Sequence, residues 1–159
     1  MNGMSKIVKT ITNIAFPLVM IYGLYIIAHG HLSPGGGFQG GAVVASGCAM
    51  ILVAHGSVWT LGKIKEKNLS ILESVGAFCF IALAILGLGF GTVFFKNFLV
   101  GSNIIFGVIP SFGSTMANIN TAGVIPLMNF AVGLKVIAGL FGIVLIMAYA
   151  SVRRDKKWY

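Results

Sequence analysis

Four long apolar segments, separated by polar or glycine-rich connections, constrain this chain more than any other feature. The predicted spans cover residues 7–29, 41–61, 71–95 and 124–151. A helix needs about 20 apolar residues to cross the hydrocarbon core of a bilayer, and each segment reaches that length. Charged residues make up 9% of the chain, against about 25% in soluble domains. The sequence therefore predicts an all-α polytopic membrane protein, with a single transmembrane domain over residues 1–159.

The basic residues predict the orientation of these spans. One side holds both termini and the connection between the second and third spans, whereas Lys96 lies on the other side and Lys135 within the fourth span. Cytoplasmic loops carry an excess of Lys and Arg, so we expect both termini in the cytoplasm and the chain in the cell membrane. The same clustering argues against nucleic acid as a partner, despite a net charge of +8. The basic residues of the predicted cytoplasmic side are Lys6, Lys9, Lys63, Lys65, Lys67, Arg153, Arg154, Lys156 and Lys157.

Residues suited to cofactor chemistry are sparse. Cys48 and Cys79 lie within apolar spans and are not spaced as the thiolate ligands of a metal or iron–sulfur site. The glycine run lacks the lysine of a phosphate-binding P-loop. We expect no catalytic residue, no metal site and no cofactor in this chain itself.

The segment from His29 to Gly41, which reads HGHLSPGGGFQGG, is the most unusual part of the sequence. Ser33 and Pro34 break a helix, and the glycines that follow expose bare backbone, which cannot face lipid because its amides would lack hydrogen-bond partners. The glycine-rich loop predicted over residues 30–40 is therefore either a tight exposed hairpin or a broken helix that lines a hydrated path. The motif consists of Ser33, Pro34, Gly35, Gly36, Gly37, Gln39, Gly40 and Gly41.

Three histidines are candidates for a proton path, because histidine titrates near neutral pH. His29 and His31 flank the glycine segment and favour the hydrated path there. His55 lies in the second span. It is either a hydrogen-bonded core residue or a relay residue in contact with water.

Lys135 lies about 16 Å into the fourth span at about 1.5 Å per residue, near the middle of the bilayer. A charge at that depth costs at least about 2.5–3.5 kcal/mol, so such residues are usually functional. Its helix face carries Ala131, Gly139 and Gly142, which predicts burial against protein. Lys135 is either a structural residue paired with a carboxylate or a member of a proton or ion relay.

Carboxylates that could pair with Lys135 are scarce. Glu66 lies in a predicted loop and Asp155 in the tail, whereas the predicted position of Glu73 is the first turn of the third span. Glu73 is either a carboxylate stabilised by the helix dipole or the mouth of a cytoplasmic ion path, and we do not expect it to reach Lys135. The predicted partner of Lys135 is therefore on another chain, unless Lys135 is neutral, and this chain alone lacks the carboxylates of an antiport cycle.

Two further patterns concern packing and the longest connection. Gly37, Gly41, Ala45 and Ala49 recur at fourfold spacing, as do Gly87 and Gly91, which lets helices approach closely. The mixed loop 96–123 contains an apolar stretch over residues 103–112 that is too short to span, so we expect it to be interfacial or re-entrant.

Two stretches carry a resemblance to a known family. The motif GHLSPGGGFQGGAVVAS, Gly30–Ser46, resembles the signature of the MnhB/MrpB family, the B subunits of multi-subunit sodium/proton antiporters. The fourth span is similar to that family over NFAVGLKVIAGL, Asn129–Leu140, which includes Lys135. The likeness covers essentially the whole chain.

The resemblance implies a small cofactor-free subunit that supports exchange of Na⁺ for H⁺ with other membrane subunits in a lipid bilayer. Related subunits occur in archaeal membrane-bound hydrogenases and sulfur-reducing complexes, so a redox-driven ion pump is the alternative assembly. A homo-oligomeric exporter is disfavoured, because the first span lacks the carboxylate expected of one. A passive scaffold differs from the subunit hypothesis only if Lys135 and the glycine segment are dispensable.

Overall fold

The chain is helical throughout most of the part that the structure describes. The computed structural model describes residues 3–90, 93–109, 111 and 118–155, with side chains as far as Ser151. These described residues contain no strand, which confirms the all-α prediction. The helices are α1 (Lys6–Ala28), α2 (Gly36–His55), α3 (Ser57–Lys63), α4 (Glu66–Phe90) and α5 (Ile125–Asp155), with a 3₁₀ turn at Ile119–Thr121.

Four of the helices in the described part, α1, α2, α4 and α5, are long and apolar enough to cross a membrane. This confirms the number of predicted spans. The first and fourth spans agree closely with α1 and α5, whereas the second and third differ at both ends. Pro17 lies inside α1 without ending it.

The second span differs from the prediction because the glycines join the helix. α2 begins at Gly36 rather than near Gly41, so the second half of the predicted 30–40 loop is helical. α2 ends at His55, because Gly56 adopts a φ of 89°, a conformation that only glycine reaches without strain. The remainder of the predicted span continues as the separate helix α3.

The third span also begins earlier than predicted. α4 starts at Glu66, whose carboxylate lies in the first turn and is favoured there by the helix dipole. Glu73 therefore lies about two turns inside α4 rather than in its first turn, at about 3.6 residues per turn. This corrects the dipole interpretation of Glu73 and moves its carboxylate deeper into the helical layer.

The helices pack in the order α1–α2–α5–α4 across the molecule. α2 packs against α1 on one side and α5 on the other, and α4 packs principally on α5. Within its most apolar stretch α2 is 44% buried, whereas α1 and α4 are each 17% buried. The outer helices therefore expose apolar side chains that only lipid or other membrane proteins can cover.

A buried cluster fixes which helix ends lie together. Leu52 near the end of α2, Leu69 near the start of α4, and Phe141 and Leu145 of α5 pack together in one core cluster. The amide of Met4, just before α1, donates to the carbonyl of Ala54 at 2.9 Å. The start of α1, the end of α2, the start of α4 and the second half of α5 therefore share one end of the molecule.

The connection from α4 to α5 is fixed by Asn97. Its Nδ2 donates to the carbonyl of Ala122 at 3.0 Å, and its Oδ1 accepts from the amide of Val124 at 2.7 Å, at the start of α5. Residues 103–109 of the predicted interfacial stretch form bends, turns and irregular backbone rather than a helix. Pro110 and Phe112, at the end of that stretch, lie outside the described residues.

Candidate functional site

Glycines on one row of α2 bring it into backbone contact with α1. A Cβ on Gly40 would lie 2.6 Å from the carbonyl oxygen of Gly23 and 2.8 Å from the amide nitrogen of Ile27. A Cβ on Gly23 would in turn lie 2.6 Å from a methyl group of Val44. These positions admit no side chain, because the atoms in the way are mostly backbone.

A second row of glycines on α2 brings this helix into backbone contact with α5. A Cβ on Gly37 would lie 2.7 Å from the carbonyl oxygen of Asn129, and one on Gly41 would lie 2.9 Å from that of Gly133. Ala45 continues the row and is buried in the core cluster. The fourfold spacing seen in the sequence is thus the α2–α5 contact.

The predicted second small-residue row does not join two helices. A Cβ on Gly87 would lie 2.8 Å from the amide nitrogen of Lys96. Gly87 therefore makes room for the returning connection after α4. Gly91, the other member of the row, lies outside the described residues.

Direct backbone contact between two glycines closes the turn between α1 and α2. A Cβ on Gly36 would overlap the Cα of Gly30, so these two backbones touch directly. Gly35 precedes α2 with a φ of 79°, and its carbonyl accepts from the amide of Gln39 at 2.9 Å. Pro34, Gly35 and Gln39 are exposed, Ser33 is half-buried, and Gly36, Gly37, Gly40 and Gly41 are buried. The motif is therefore a tight turn in its first part and a buried helical contact surface in its second.

Unpartnered polar atoms gather beside this turn. Both ring nitrogens of His31 and the Nδ2 of Asn129 are buried without a hydrogen-bond partner. Asn129 Nδ2 lies against Gly30, 2.7 Å from where a Cβ would stand. The ring of His29 stacks on Tyr25 at 5.3 Å and lies 5.8 Å from that of His31. Buried polar groups are normally hydrogen-bonded, so these nitrogens mark a polar niche beside the turn, formed by His29, His31 and Asn129.

Lys135 lies where α4 and α5 cross. A Cβ on Gly76 of α4 would lie 2.8 Å from the amide nitrogen of Lys135, so the two backbones are in contact there. The Lys135 side chain is nevertheless exposed on this chain, so the burial of its face against protein stays a prediction. Among the described residues, no carboxylate forms an ion pair with it. Within the part of the chain that the structure describes, the ammonium group is therefore a charge inside a helix without a counter-charge.

An acidic cleft opens next to Lys135 between α4 and α5. The cleft holds about 200 Å³ and is lined by Glu66, Ser70 and Glu73 of α4, and by Gly139 and Gly142 of α5. The half-buried Glu73 carboxylate lies over Gly139, 3.5 Å from where a Cβ would stand. The structure thus brings Glu73 within about one helical turn of Lys135 along α5 without pairing them.

His55 is satisfied within the chain. Its Nε2 lies 3.0 Å from Oδ1 of Asn13, a hydrogen-bonding distance, and its ring stacks on Trp59 at 4.5 Å. It lies at the end of α2 beside the start of α1. This geometry favours the core-residue interpretation of His55.

The predicted site residues fall into three separate places. His29 and His31 lie at one end of α1 and His55 at the other, about 35 Å apart along a helix of 23 residues. Asn129 and Lys135 share α5 but lie about 120° apart around it, at about 100° per residue. Asn129 consequently contacts α2, whereas the backbone of Lys135 contacts α4. The described residues therefore form no continuous polar path through this chain.

Sequence reasoning missed three residues of these sites. Gly23 and Gly76 are the contact points of α1 and α4, and Asn13 is the partner of His55. An isolated glycine inside a long apolar helix is a signal for close packing, as an asparagine is for a hydrogen bond between helices. Neither signal names the partner, which depends on how the helices are arranged.

Comparison with known proteins identifies the family. The MnhB family, described as a domain related to the MnhB subunit of Na⁺/H⁺ antiporters, matches residues 7–142. This chain belongs to the MnhB family. The matched region contains the glycine turn, the polar niche and the acidic cleft up to Gly142. The resemblance seen in the sequence is thereby confirmed.

Relatives of this MnhB-family chain include named antiporter subunits. It is 36% identical to an uncharacterized protein of Methanocaldococcus jannaschii over 88% of its own length and 52% of that protein. It is 29% identical to a Na(+)/H(+) antiporter subunit of Bacillus subtilis, over 46% of the chain and 58% of the relative. It is 27% identical to the putative antiporter subunit mnhB2 of Staphylococcus aureus, over 58% of the chain and 64% of the relative. The matches thus span between about half and two thirds of these relatives.

Proposed function

We propose that this chain is a small membrane subunit of a multi-subunit Na⁺/H⁺ antiporter and supports cation and proton translocation together with other membrane subunits. The named relatives are antiporter subunits, and the chain shares their family. The observation that carries the proposal is Lys135. Among the described residues this exposed ammonium has no counter-charge, and it lies about a third of the way along the apolar helix α5. Such a charge is unfavourable in lipid, so a group outside this chain must accommodate it.

The proposed orientation has both termini in the cytoplasm of a multi-pass protein of the cell membrane. The helix ends that share the core cluster are the ends next to Lys6, Lys9, Lys63, Lys65 and Lys67. Lys96 belongs to the connection at the opposite end, beside the start of α5. This distribution follows the rule that cytoplasmic segments are rich in Lys and Arg. The acidic cleft then opens toward the cytoplasm, and the polar niche lies toward the opposite surface.

The proposed roles follow from these positions. Glu73 and the cleft form a cytoplasmic entrance for cations, because a carboxylate in a hydrated cleft concentrates them. Lys135 controls the charge at the inner end of this entrance. His29 and His31 belong to the polar niche on the opposite side. Since the two places are not connected through the described residues, the proposed ion path crosses the membrane between this chain and its neighbours.

The experiment that tests the proposal is purification of the assembly from native membranes in mild detergent, with mass spectrometry of the subunits recovered with this chain. Antiporter-like membrane subunits are the expected companions. Recovery of this chain alone, as a homo-oligomer, would contradict the proposal. Iron–sulfur subunits in the same particle would instead place the chain in a redox-driven ion pump.

A further inference from the structure

The α4–α5 surface around Lys135 has a definite charge pattern. Lys135 is exposed about one helical turn inward from Gly139, whereas Glu73 lines the inner end of the cleft and Glu66 its outer end. Glu73 is half-buried over Gly139 and does not pair with Lys135. The surface therefore presents one free positive charge at mid-depth with negative charges nearer the cytoplasmic end of the helices.

The same surface has room for a close neighbour. A Cβ on Gly142 would meet no atom within 4 Å, and Ile143 beside it is 58% exposed. The buried glycines of α2 differ, since each already touches a neighbouring backbone. A helix from outside can therefore approach α5 closely at Gly142, about two helical turns from the free charge of Lys135.

We propose that the exposed face of α5 from Lys135 to Ile143, along the edge of the cleft, is the docking site of a transmembrane helix from a different subunit, and that this helix carries a carboxylate at the depth of Lys135. This inference rests on the proposed function and adds the chemistry of the partner. Charge complementarity selects that chemistry, because a carboxylate beside Lys135 neutralises the charge, whereas a carboxylate farther out would meet Glu73 and Glu66.

A second copy of this chain fits the surface poorly. The chain holds only three acidic residues, and Asp155 lies at the end of α5, about 30 Å from Lys135 along the helix. Glu73 is half-buried against its own Gly139. A two-fold contact through this surface would therefore place two ammonium groups together, which is repulsive.

The test is photo-crosslinking in the intact complex. A photoreactive amino acid replaces Ile143, which is exposed on the cleft wall and carries no ionisable group. The same residue placed at Ile14 on the outer face of α1, 65% exposed, serves as the matched control. The crosslinked segment is identified by mass spectrometry after purification.

The expected crosslink from position 143 joins this chain to a membrane segment of another subunit that carries Asp or Glu within about two helical turns of the linked residue. Lys135→Glu should lower the yield of this crosslink at least about tenfold, because two carboxylates then face each other. Lys135→Arg should keep the yield. Replacing the partner's acidic residue by Lys should restore the crosslink to Lys135→Glu. Crosslinks from position 14 should not respond to the charge at position 135.

The outcomes separate this inference from the proposed function. A crosslink to a segment without an acidic residue, a crosslink to a second copy, or no crosslink within an otherwise complete antiporter particle would overturn the docking proposal alone. Purification of this chain without any other subunit would overturn the proposed function, and the docking proposal with it. The wild-type crosslink decides the identity of the segment even if Lys135→Glu is poorly inserted.

Discussion

The glycines of α2 and those in the second half of α5 have opposite surroundings. Gly37, Gly40 and Gly41 each lie against a neighbouring backbone within the chain. Gly142 faces open space, and Gly139 is covered only by the Glu73 side chain. Both sets let helices approach closely, yet only the first set makes helix–helix backbone contacts within this chain. The difference indicates that α2 builds the fold, whereas this face of α5 is left for contacts outside it.

The charges follow the same division. The residues around the α2 rows are apolar or glycine, apart from the polar niche at the turn. The open face of α5 carries Lys135 next to a cleft lined by two carboxylates. Contacts between the helices of this chain stabilise its fold, whereas a transport subunit needs charged side chains that remain accessible to ions or partners. Substitutions at the α2 glycines and at the charges of α5 test whether α2 builds the fold and α5 keeps its charges accessible.

Replacing Gly40 by Val should prevent the fold. The added Cβ would lie 2.6 Å from the Gly23 carbonyl, and backbone cannot yield as a flexible side chain does. We expect a loss of at least about 3 kcal/mol, the upper range for overpacking a core. Membrane accumulation and the thermal unfolding midpoint of the detergent-solubilised protein measure it. Gly142→Val is the matched control and should leave both unchanged, because that position faces open space; equal damage from the two variants would remove the distinction between the two glycine sets.

Gly36→Val should behave like Gly40→Val, since its side chain would overlap the Gly30 backbone. The turn would have to open, with a loss of at least about 2 kcal/mol in the stability of the α1–α2 hairpin. Assembly of the complex and thermal unfolding of the solubilised chain report the change. Gln39→Ala, on an exposed neighbour, is the control. Normal assembly of Gly36→Val would favour an exposed flexible hairpin.

Lys135→Ala should impair exchange without unfolding the chain. The side chain is exposed and makes no ion pair with a described carboxylate, so its removal leaves the internal packing intact. We expect Na⁺/H⁺ exchange in everted vesicles to fall at least about a hundredfold, the lower end of the range by which a positioned acid or base contributes to proton transfer. Lys96→Ala, an exposed lysine at the other end, should retain exchange. Unchanged exchange with a normally assembled Lys135→Ala complex would rule out a relay role.

Asn97→Ala should have an intermediate effect on stability, because it removes both hydrogen bonds that fix the start of α5. We expect a loss of about 1–2 kcal/mol, typical for a helix-cap residue. Asn97→Asp keeps the acceptor for the Val124 amide and should lose about half as much. Thermal unfolding of the three proteins under the same conditions orders them. Equal stabilities would show that the connection after α4 does not help to position α5.

His55→Phe should have the smallest effect. Phenylalanine keeps a ring to stack on Trp59 but loses the hydrogen bond to Asn13, which corresponds to about 1 kcal/mol. Thermal unfolding should show this loss, and the pH dependence of exchange should not shift. Asn13→Ala should lower stability by a similar amount, because it removes the other half of the same bond. A shifted pH profile in His55→Phe would restore the relay interpretation.

Much of the fold follows from local sequence, and the errors have local causes. The number of membrane helices follows from the number of long apolar segments. The bounds of α1 and α5 are also close to those predicted for the first and fourth spans. The sequence predicts a loop at Gly36 because glycine is a poor helix former by itself. Contacts with Gly30 and α5 override that preference, since only glycine allows them. The sequence also predicts a loop at Glu66, because the residue is charged. The structure instead begins α4 there, since a carboxylate stabilises the first turn of a helix.

The candidate site was less accessible to sequence reasoning. Lys135 and Glu73 are conspicuous because ionisable residues are rare in apolar helices. Their spacing along the chain does not reveal that Gly76 brings α4 against the Lys135 backbone, or that Glu73 lies over Gly139. The polar niche required the α2–α5 contact before His31 and Asn129 were placed beside the same turn.

The membrane class, the four spans and the family follow from the amino-acid sequence alone, because apolar length and a long motif are properties of the chain read in order. Which neighbour each glycine touches and which charge stays exposed depend on how the helices pack. Helices associate in lipid through shape, since apolar surface against lipid supplies no strong preference for one partner. The pairing of α2 with both α1 and α5 therefore depends on backbone contacts at Gly40 and Gly41. Once those contacts form, the α5 backbone at Lys135 faces Gly76 of α4, and the Lys135 side chain stays exposed.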